Sequence, residues 1–487
     1  MRKFFKYVML FCPTIAMAQN MNYSVNIHAG GHIIAAYPAN MIDSISFTKV
    51  SKDVLDNLSA FTDTTLAIIK EDDGSNLTIN QGIVSQSKQT IRVIREDDVV
   101  AILKLSEPQI IAQAEKKEQW GFFQFPVIYR GANQRLFIDW QMRPDSYTAY
   151  GEESHGRIMS TDEGKTWKAL DDEYPRFERY RVELNNGDVL QVKDPPSKDV
   201  RAYVSFPQPV NDMTINGYDF YLHSELPEDL QGVYLSLWDK INHQQQIIHA
   251  SLDDPLLLRY SINNMMPVVW WGNIKETEDG TLFAGVYPCY YQDFNGKVNR
   301  TAVSFYKSVD TGLNWSKVGT ISYQRDGADI PFDGSEGFEE PAFEVLKDGT
   351  FFCVMRTGYT SPMYKSFSYD KGRQWTDPIP FTSNGVMPNL LLLDNGALVL
   401  ASGRPGLQLR FCVDGDGKKW TEPIEMLPFM DDKGNFNIWG ATCGYPSILQ
   451  VNDNTFYIVY SDFKTKDESG EIRKSIMFRK IEVIKRK

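Results

Sequence analysis

The sequence predicts an all-β protein built from repeated hairpins, and three observations support this prediction. Aromatic residues make up 13% of the 487 residues, a share that favours strands and sugar-binding surfaces over helical bundles. A motif that ends in tryptophan occurs four times after residue 110. Apolar runs that are interrupted by short turn signals occur six times in the same part of the chain.

The overall composition is that of a globular protein. Hydrophobic residues make up 42% and charged residues 23% of the chain, which disfavours extensive disorder. The formal net charge of −12 disfavours non-specific binding to nucleic acid, so no nucleic-acid partner is predicted. No apolar run after the N-terminal segment is long enough to span a membrane.

The first segment, Met1–Ala18, has the pattern of a secretory signal peptide. Basic residues are followed by an apolar stretch and an Ala-x-Ala end, which predicts cleavage after Ala18. The mature protein is therefore expected to be secreted, periplasmic or on the cell surface. A lipid anchor on Cys12 is disfavoured because Phe11 precedes it, where a small residue would be expected.

Residues 19–109 predict a small accessory domain of unknown role. Alternating runs at Ile42–Phe47 and Thr90–Ile94 indicate strands, and Ser51–Phe61 carries apolar residues on one helical face. None of these patterns assembles a chemical site.

The repeated motif after residue 110 reads S-x-D-x-G-x-x-W and predicts a hairpin turn. Copies begin at Ser160, Ser308 and Ser368, and a fourth copy with one inserted residue begins at Cys412. The serine and aspartate can accept hydrogen bonds from the turn's own amides, glycine supplies a positive φ, and tryptophan packs beside the hairpin. The motif's aspartates are therefore assigned a structural role: Asp162, Asp310, Asp370 and Asp414.

The second repeat consists of paired turn residues that are typical of type I′ hairpins. Five pairs and a sixth signal at Gly131–Asn133 predict six four-stranded sheets, and hence a six-bladed β-propeller over residues 110–487. The interval between Asp162 and Asp310 must then contain a sheet without the tryptophan turn, together with an insertion near Pro195–Leu256. The five pairs are Asn186-Gly187, Asp279-Gly280, Asp348-Gly349, Asn395-Gly396 and Asp453-Asn454.

These repeats resemble the Asp-boxes of bacterial sialidases (neuraminidases), which are six-bladed propellers. The segment Glu340–Arg356 resembles the sialidase segment in which a glutamate stands sixteen residues before an arginine, across an Asp-Gly turn. Arg404 stands where those enzymes have a further arginine, and Tyr445, in Cys443–Leu449, matches the segment that carries their nucleophilic tyrosine. The likeness covers about residues 110–487.

The resemblance implies a secreted, retaining exo-glycosidase that removes terminal sialic acid or a related acidic sugar. Tyr445 would be the nucleophile and Glu340 its base, because a phenol is weakly nucleophilic at its ordinary pKa. A neutral tyrosine suits an anomeric carbon that already bears a carboxylate. Arg356 and Arg404 would bind that carboxylate, since a guanidinium matches it with two hydrogen bonds.

The acid that protonates the leaving group is expected on the loop after the first hairpin. The resemblance assigns this role to Asp145, and Glu152 and Glu153 are alternatives on the same loop.

One departure from the family puts the substrate in question. Sialidases have an Arg-Ile-Pro element in the first blade, and here Gln124 stands in place of its arginine. Glutamine offers only a neutral hydrogen bond, which is weaker than a charge-assisted one. Three alternatives stay open: Arg143 or Arg130 completes the substrate site, the substrate is another acidic sugar, or activity is lost.

Other function classes have less support. The six histidines show no metal-ligand spacing, and no glycine-rich phosphate motif follows a strand, so neither metal nor cofactor is predicted. The expected partner is a sialoglycan or another acidic glycan, and the oligomeric state is not predicted. A glycan-binding propeller without activity is one alternative, and a hydrolase or lyase for uronate polysaccharides, with His155 or a tyrosine as base, is another.

The cysteines give a weaker prediction. Four remain after the signal segment, far apart and outside any C-x-x-C motif, so buried free thiols are favoured while disulfide pairing stays open. They are Cys289, Cys353, Cys412 and Cys443.

Overall fold

The computed structural model describes residues 24–29, 32–38, 68–70, 89–95, 98–131, 134–152, 154–170, 175–210, 217–323, 337–358 and 361–485. In these ranges the chain forms 33 strands, four short 3-10 helices and no α-helix, so the all-β prediction is confirmed. No helix in these ranges has the length and apolar character needed to cross a bilayer. The 3-10 helices are Tyr147–Ala149, Val200–Ala202, His223–Glu225 and Glu228–Leu230.

The chain divides into two compact units. The first contains Met1–Glu107, Lys419–Glu422 and Ile481–Lys487, and the second contains Pro108–Lys418 and Pro423–Lys480. The strands of the first unit are β1 (Ser24–Ala29), β2 (His32–Pro38), β3 (Ile68–Lys70), β4 (Gln89–Arg95) and β5 (Asp98–Leu105).

The remaining strands are β6 (Gln109–Gln113), β7 (Phe122–Arg130), β8 (Leu136–Met142), β9 (His155–Ser160), β10 (Lys168–Ala169), β11 (Arg181–Glu183), β12 (Val189–Val192), β13 (Lys198–Asp199), β14 (Tyr218–Leu222), β15 (Val233–Asp239), β16 (Gln244–Asp253), β17 (Leu258–Ile262), β18 (Met265–Met266), β19 (Trp271–Glu276), β20 (Leu282–Cys289), β21 (Ala302–Ser308), β22 (Asn314–Ile321), β23 (Glu339–Val345), β24 (Phe351–Arg356), β25 (Tyr364–Ser368), β26 (Ile379–Pro380), β27 (Val386–Leu392), β28 (Leu398–Gly403), β29 (Leu407–Cys412), β30 (Ile424–Leu427), β31 (Ser447–Asn452), β32 (Thr455–Lys466) and β33 (Ile472–Lys485).

In the first unit, β1 and β2 form an antiparallel hairpin. Strand β3 pairs with β4 in parallel, β4 pairs with β5 antiparallel, and Ile481–Lys485 of β33 pairs with Ala101–Leu105. The predicted strand Thr90–Ile94 lies within β4. The signal segment, the run Ile42–Phe47 and the predicted helix Ser51–Phe61 lie outside the described residues.

Apart from one inserted sheet, the described residues of the second unit form six groups of four strands, the number of sheets that the hairpin repeats predict. They are β7 to β10; β11, β12, β15 and β16; β19 to β22; β23 to β26; β27 to β30; and β31, β32 and β33 with β6. The second and third groups are joined through the parallel pair β16 and β22. That these groups are propeller blades stays an interpretation.

The insertion is present, in two pieces. Strands β13, β14, β17 and β18 form their own four-stranded sheet, and the pair β15 and β16 of the second group comes between them in the chain. The second group turns from β15 to β16 at residues 240–243 without a tryptophan, as predicted.

The hairpin turns differ from the predicted type I′. At the first pair, the Gly187 amide donates to the Leu184 carbonyl at 2.7 Å, and the Leu184 amide donates to Asp188 at 2.8 Å. Gly187 has φ 86°, whereas Asn186 does not have positive φ. A type I′ turn needs positive φ at both central residues, so this is the three-residue loop with one left-handed glycine.

The tryptophan turns have the predicted hydrogen bonds. Ser308 Oγ donates to Asp310 Oδ1 at 2.7 Å and accepts from the Gly312 amide at 2.9 Å, while Asp310 accepts from the Asn314 amide at 3.0 Å. The buried Trp315 indole donates to the Gly312 carbonyl at 3.0 Å. The copies at Ser160 and Ser368 repeat the bonds of serine and aspartate.

The fourth copy has its own bonds. Cys412 Sγ donates to Asp416 Oδ1 at 3.4 Å, and the Lys418 amide donates to the same oxygen at 2.9 Å. Asp416 therefore also takes part in this turn, which is one residue longer than the others. The four cysteines of the described part are free and buried, which confirms the thiol prediction.

The first strands of neighbouring groups lie next to one another. Strand β11 contacts β19, β19 contacts β23, β23 contacts β27, β27 contacts β31, and β31 contacts β7. Between β7 and the second group, Arg181 donates to the Ile128 carbonyl at 2.7 Å. Aromatic residues fill the space between groups, as where Phe305 lies 4.3 Å from Trp375. The starts of the first strands are thereby brought to a common region.

We expect Asp310→Ala to lower the free energy of unfolding by about 1–2 kcal/mol, because the turn loses an acceptor for its amides. Urea unfolding followed by tryptophan fluorescence measures this loss. Val309→Ala is the control, since Val309 is exposed on the same turn. Equal midpoints for the two variants would contradict a structural role for the aspartate.

Candidate active site

The candidate site lies where the first strands begin. In each of the six hairpins, the residue eight positions before the turn lies in the first strand or directly before it. The turn residues used for this count are Asn133, Asn186, Asp279, Asp348, Asn395 and Asp453. The second strand of each hairpin ends at the same edge, because the two strands are antiparallel. The six positions are Phe125, Glu178, Trp271, Glu340, Met387 and Tyr445.

The backbone at three of these positions is left-handed. Phe125, Glu340 and Met387 have φ of 52°, 45° and 47°, and the strand register shifts at each of them. A left-handed conformation costs a residue other than glycine about 1–3 kcal/mol, so the surrounding sheets must enforce it. Such bulges change the direction of side chains at the ends of strands.

Glu340, Arg356 and Tyr445 form the centre of the site. The Tyr445 hydroxyl donates a short hydrogen bond to Glu340 Oε1, and Arg356 Nη1 donates to the same oxygen at 2.5 Å. Arg356 Nη1 also lies 3.3 Å from the Tyr445 hydroxyl oxygen. The Met387 amide donates to Glu340 Oε2 at 2.7 Å, so both carboxylate oxygens are held.

The electrostatic surroundings keep the phenol of Tyr445 protonated. Burial raises its pKa well above the ordinary value, the charge of Glu340 raises it further, and Arg356 and Arg404 oppose these effects. A neutral phenol that donates to a carboxylate can pass its proton to that carboxylate when its oxygen forms a bond elsewhere.

Arg404 belongs to the same cluster. Its Nε donates to the Cys443 carbonyl at 3.1 Å, and its guanidinium lies 4.2 Å from the Trp439 ring and 5.4 Å from the Tyr445 ring. Arg356 and Arg404 therefore both lie next to Tyr445. Both are buried, and neither is among the residues that line the neighbouring cavity.

A cavity of about 350 Å³ opens beside Tyr445 and Glu340. Its lining combines aromatic rings with charged groups, a combination that is typical of sugar sites. The aromatic and charged residues of the lining are Phe125, Trp140, Tyr150, Phe177, Tyr180, Trp271, Tyr287, Tyr445, Asp139, Arg143, Asp145, Glu152, His155, Arg176, Glu178, Arg179, Lys193, Asp194 and Glu340.

Four cations line the cavity, and three of them are held by protein groups. Arg179 donates to the carbonyls of Pro446 and Pro126 at 2.7 and 2.9 Å. Lys193 pairs with Glu178 at 3.3 Å, and Arg176 lies 3.6 Å from Asp139.

The fourth cation, Arg143, forms no ion pair with any residue that the structure describes. Its Nε is buried without a hydrogen-bond partner in that part of the chain. Arg143 is thus the lining cation with most capacity for a ligand anion.

His155 is fixed in one tautomer. Arg176 Nη1 lies 2.7 Å from His155 Nδ1, and because a guanidinium only donates, Nδ1 must accept and Nε2 must carry the proton. Burial and the charge of Arg176 lower the pKa of His155 to about 4, so the ring is neutral at pH 7. It can donate a hydrogen bond, but it has no free nitrogen with which to act as the base of a lyase.

The acid candidates lie at the rim of the cavity. Asp145 and Glu152 line it and are exposed, and Asp145 Oδ2 accepts from the Trp120 indole at 2.8 Å. Glu153 lies outside the residues that the structure describes.

Two further predicted residues are not part of the lining. Gln124 is fully buried, and its Oε1 accepts from the Gly121 amide at 2.9 Å, while its Nε2 has no hydrogen-bond partner among the described residues. Arg130 pairs with Glu163 at 2.7 Å, away from the cavity. Arg143 is therefore the one of the two proposed replacement cations that reaches the site.

Sequence reasoning missed Arg176, Arg179 and Asp194. Counting eight residues from the hairpin turn at Asn186 would have found Asp194, and Glu178 on the other side, which is next to Arg179. Arg179 directly follows Glu178, and Asp194 stands eight residues after Asn186, as Arg356 stands eight after Asp348.

The comparisons with known proteins agree with the repeat pattern. Residues 263–458 match the family model for the BNR repeat-like domain. The predicted resemblance to proteins with BNR, or Asp-box, repeats is confirmed. A search of curated protein sequences found no match.

Three solved structures illustrate the similarity. A protein of unknown function from Dyadobacter fermentans is 16% identical, with 77% of this chain and 99% of that chain covered and a TM-score of 0.47. The Hadza microbial sialidase Hz136 is 14% identical, with 74% and 65% covered and a TM-score of 0.44. An α-L-arabinanase from Penicillium chrysogenum, solved with arabinobiose, is 14% identical, with 77% and 98% covered and a TM-score of 0.44. These values leave the substrate of this chain open.

We expect Gln124→Arg to destabilise the protein without improving the binding of acidic sugars. The new cation would be buried without a counter-ion, which costs about 3 kcal/mol or more. Thermal unfolding and calorimetric titration with sialic acid measure the two effects. Gln246→Arg, on an exposed strand position, is the matched control. A stable variant that binds the sugar more tightly would show that position 124 faces the substrate.

Proposed function

We propose that this chain is a retaining glycoside hydrolase for an acidic sugar, sialic acid or a related one, with Tyr445 as nucleophile and Glu340 as its base. The observation that carries the proposal is the hydrogen bond from the Tyr445 hydroxyl to Glu340 Oε1 at the wall of the cavity. A phenol with a raised pKa needs a base in contact when its oxygen attacks, and Glu340 is that base.

The neighbours of Glu340 and Tyr445 support each part of this step. The Met387 amide and Arg356 hold the Glu340 carboxylate, so Oε1 stays directed at the phenol. As the phenol loses its proton, the Arg356 guanidinium at 3.3 Å stabilises the charge that develops on its oxygen. Arg356 and Arg404 thus act on the nucleophile.

Arg143 binds the carboxylate of the substrate in this proposal. It lines the cavity and has no ion pair within the described part, so its guanidinium is available for two parallel hydrogen bonds. His155 lines the same cavity and can act there as a neutral donor. A neutral nucleophile together with a cation suits a sugar that carries its charge near the anomeric carbon.

We expect Tyr445→Phe and Glu340→Gln each to lower kcat about a hundredfold or more, because the first lacks the nucleophilic oxygen and the second lacks the base. Turnover of a fluorogenic sialoside and of a panel of other acidic glycosides measures this. A 2,3-difluoro sialic acid, or the fluorinated analogue of whichever sugar is cleaved, should leave a covalent adduct on Tyr445 that is detectable by peptide mass spectrometry.

The matched control for these variants is Tyr291→Phe. Tyr291 also donates to a carboxylate, Asp254 Oδ2 at 2.7 Å, but it does not line the cavity. Binding of an acidic glycan without turnover or adduct would instead indicate a glycan-binding protein.

We expect Arg143→Met to raise KM for the acidic substrate about tenfold to a hundredfold, with a smaller change in kcat, since one charge-assisted contact is lost. Arg143→Lys should recover part of the affinity. Arg130→Met is the control because Arg130 lies outside the cavity lining. Equal KM values for the Arg143 and Arg130 variants would remove Arg143 from the substrate site.

A further inference from the structure

We infer that Asp194 is the residue that protonates the leaving-group oxygen and later deprotonates the attacking water. This inference rests on the proposed function, and it assigns the acid role to a residue outside the loop where the family resemblance places it.

The register of the hairpins directs Asp194 into the site. It stands eight residues after the turn at Asn186, the position that Arg356 occupies in its own hairpin. Its carboxylate lines the same cavity as Tyr445 and Glu340. The Trp271 indole donates to both carboxylate oxygens at 3.0 Å, which holds the group at the wall.

The other carboxyls of the cavity are less suited to carry a transferable proton. Asp139 lies 3.1 Å from Arg157, Glu178 pairs with Lys193, and Glu340 is held by Arg356, so each of these carboxyls already has an ion-pair partner. Burial raises the pKa of the Asp139 carboxyl to about 6, but its oxygens are engaged by Arg157, Arg176 and the Tyr129 hydroxyl. Asp145 and Glu152 are exposed at the cavity. Among the described carboxyls of the lining, Asp194 alone is enclosed and without an ion pair.

The surroundings of Asp194 raise the pKa of its carboxyl towards neutral pH. Burial raises the pKa of its carboxyl to about 6, and Glu178 raises it as well, while the Trp271 hydrogen bond and the charges of Arg143 and Lys193 lower it. Tyr180 is close enough to Asp194 for the charge of this carboxylate to raise the pKa of the Tyr180 phenol. When a substrate anion pairs with Arg143 and displaces water, the charge of Arg143 and the hydration of Asp194 stabilise the Asp194 carboxylate less. Bound substrate therefore promotes protonation of Asp194.

The two chemical steps balance with these groups. In the first, the Tyr445 oxygen bonds to the anomeric carbon, the bond to the leaving oxygen breaks, Asp194 gives that oxygen a proton, and Glu340 takes the phenolic proton. In the second, water attacks the anomeric carbon, Asp194 takes a proton from the water, the bond to Tyr445 breaks, and Glu340 returns its proton to the phenol. The net reaction is hydrolysis with retention.

The test compares Asp194→Asn with Asp145→Asn and Glu152→Gln on two substrates of the same sugar. One carries an alkyl or sugar leaving group, which needs protonation, and the other carries 4-methylumbelliferone, which does not. For Asp194→Asn we expect kcat/KM to fall a hundredfold or more on the first substrate and less than tenfold on the second. Azide should accelerate turnover of the aryl glycoside and yield a glycosyl azide, because azide needs no base. The rim variants should lose less than threefold on either substrate.

The pH profile gives a second criterion. The wild-type kcat/KM for the poor leaving group should fall as the pH rises through about 6, as the Asp194 proton is lost, and Asp194→Asn should lack this limb. Trp271→Phe removes a hydrogen bond that favours the carboxylate, so its limb should move to higher pH. This variant keeps the inference testable if Asp194→Asn does not fold.

Two results would overturn the inference while the proposed function stands. One is an equal loss on both substrates without azide rescue. The other is appearance of the leaving-group pattern in Asp145→Asn or Glu152→Gln. If instead the wild type cleaves neither substrate and forms no adduct on Tyr445, the proposed function fails, and the acid role of Asp194 fails with it.

Discussion

The buried carboxylate of Glu340 is the constraint on which the rest of the site depends. A charge in such a position must be compensated, and its partners come from separate parts of the chain: Arg356 from its own hairpin, the Met387 amide from the next group, and Tyr445 from the segment before β31. The left-handed backbone at Glu340 and Met387 is the local cost of this convergence. One carboxylate therefore joins three neighbouring groups of strands and also directs the hydroxyl of Tyr445.

Other parts of the cavity wall contain cations that already have protein partners. Arg179 donates to the carbonyls of Pro126 and Pro446, so it links the first, second and last groups at the point where their first strands begin. Arg176 fixes the tautomer of His155. This arrangement leaves Arg143 as the lining cation with capacity for an anion and Asp194 as the enclosed carboxyl without an ion pair, within the part of the chain that the structure describes. Ligand charge and proton transfer are thereby assigned to different residues.

Much of the fold follows from local chemistry. The tryptophan turns, the six hairpins, the sheet without a tryptophan turn and the insertion could be predicted because each depends on residues close together in the chain. The details of the turns that the sequence did not predict also involve residues close together in the chain. The Gly187 turn is one residue longer than a type I′ turn, and the inserted residue after Cys412 brings Asp416 into the fourth tryptophan turn. The convergence of Glu340, Arg356, Arg404 and Tyr445 was expected from the family resemblance, since single hairpins contain no information about their neighbours.

The sequence by itself determined the all-β class, the hairpin period and the residues that stand eight positions from each turn, because alternation and turn chemistry act within a few residues. Only the tertiary structure decided which of those residues share a cavity. It buried Gln124 against the Gly121 amide, directed Arg356 and Arg404 to Tyr445 rather than to the lining, and enclosed Asp194 beside Trp271. Burial and charge pairing depend on side chains that are distant in the chain, so the local pattern of the sequence could not specify them.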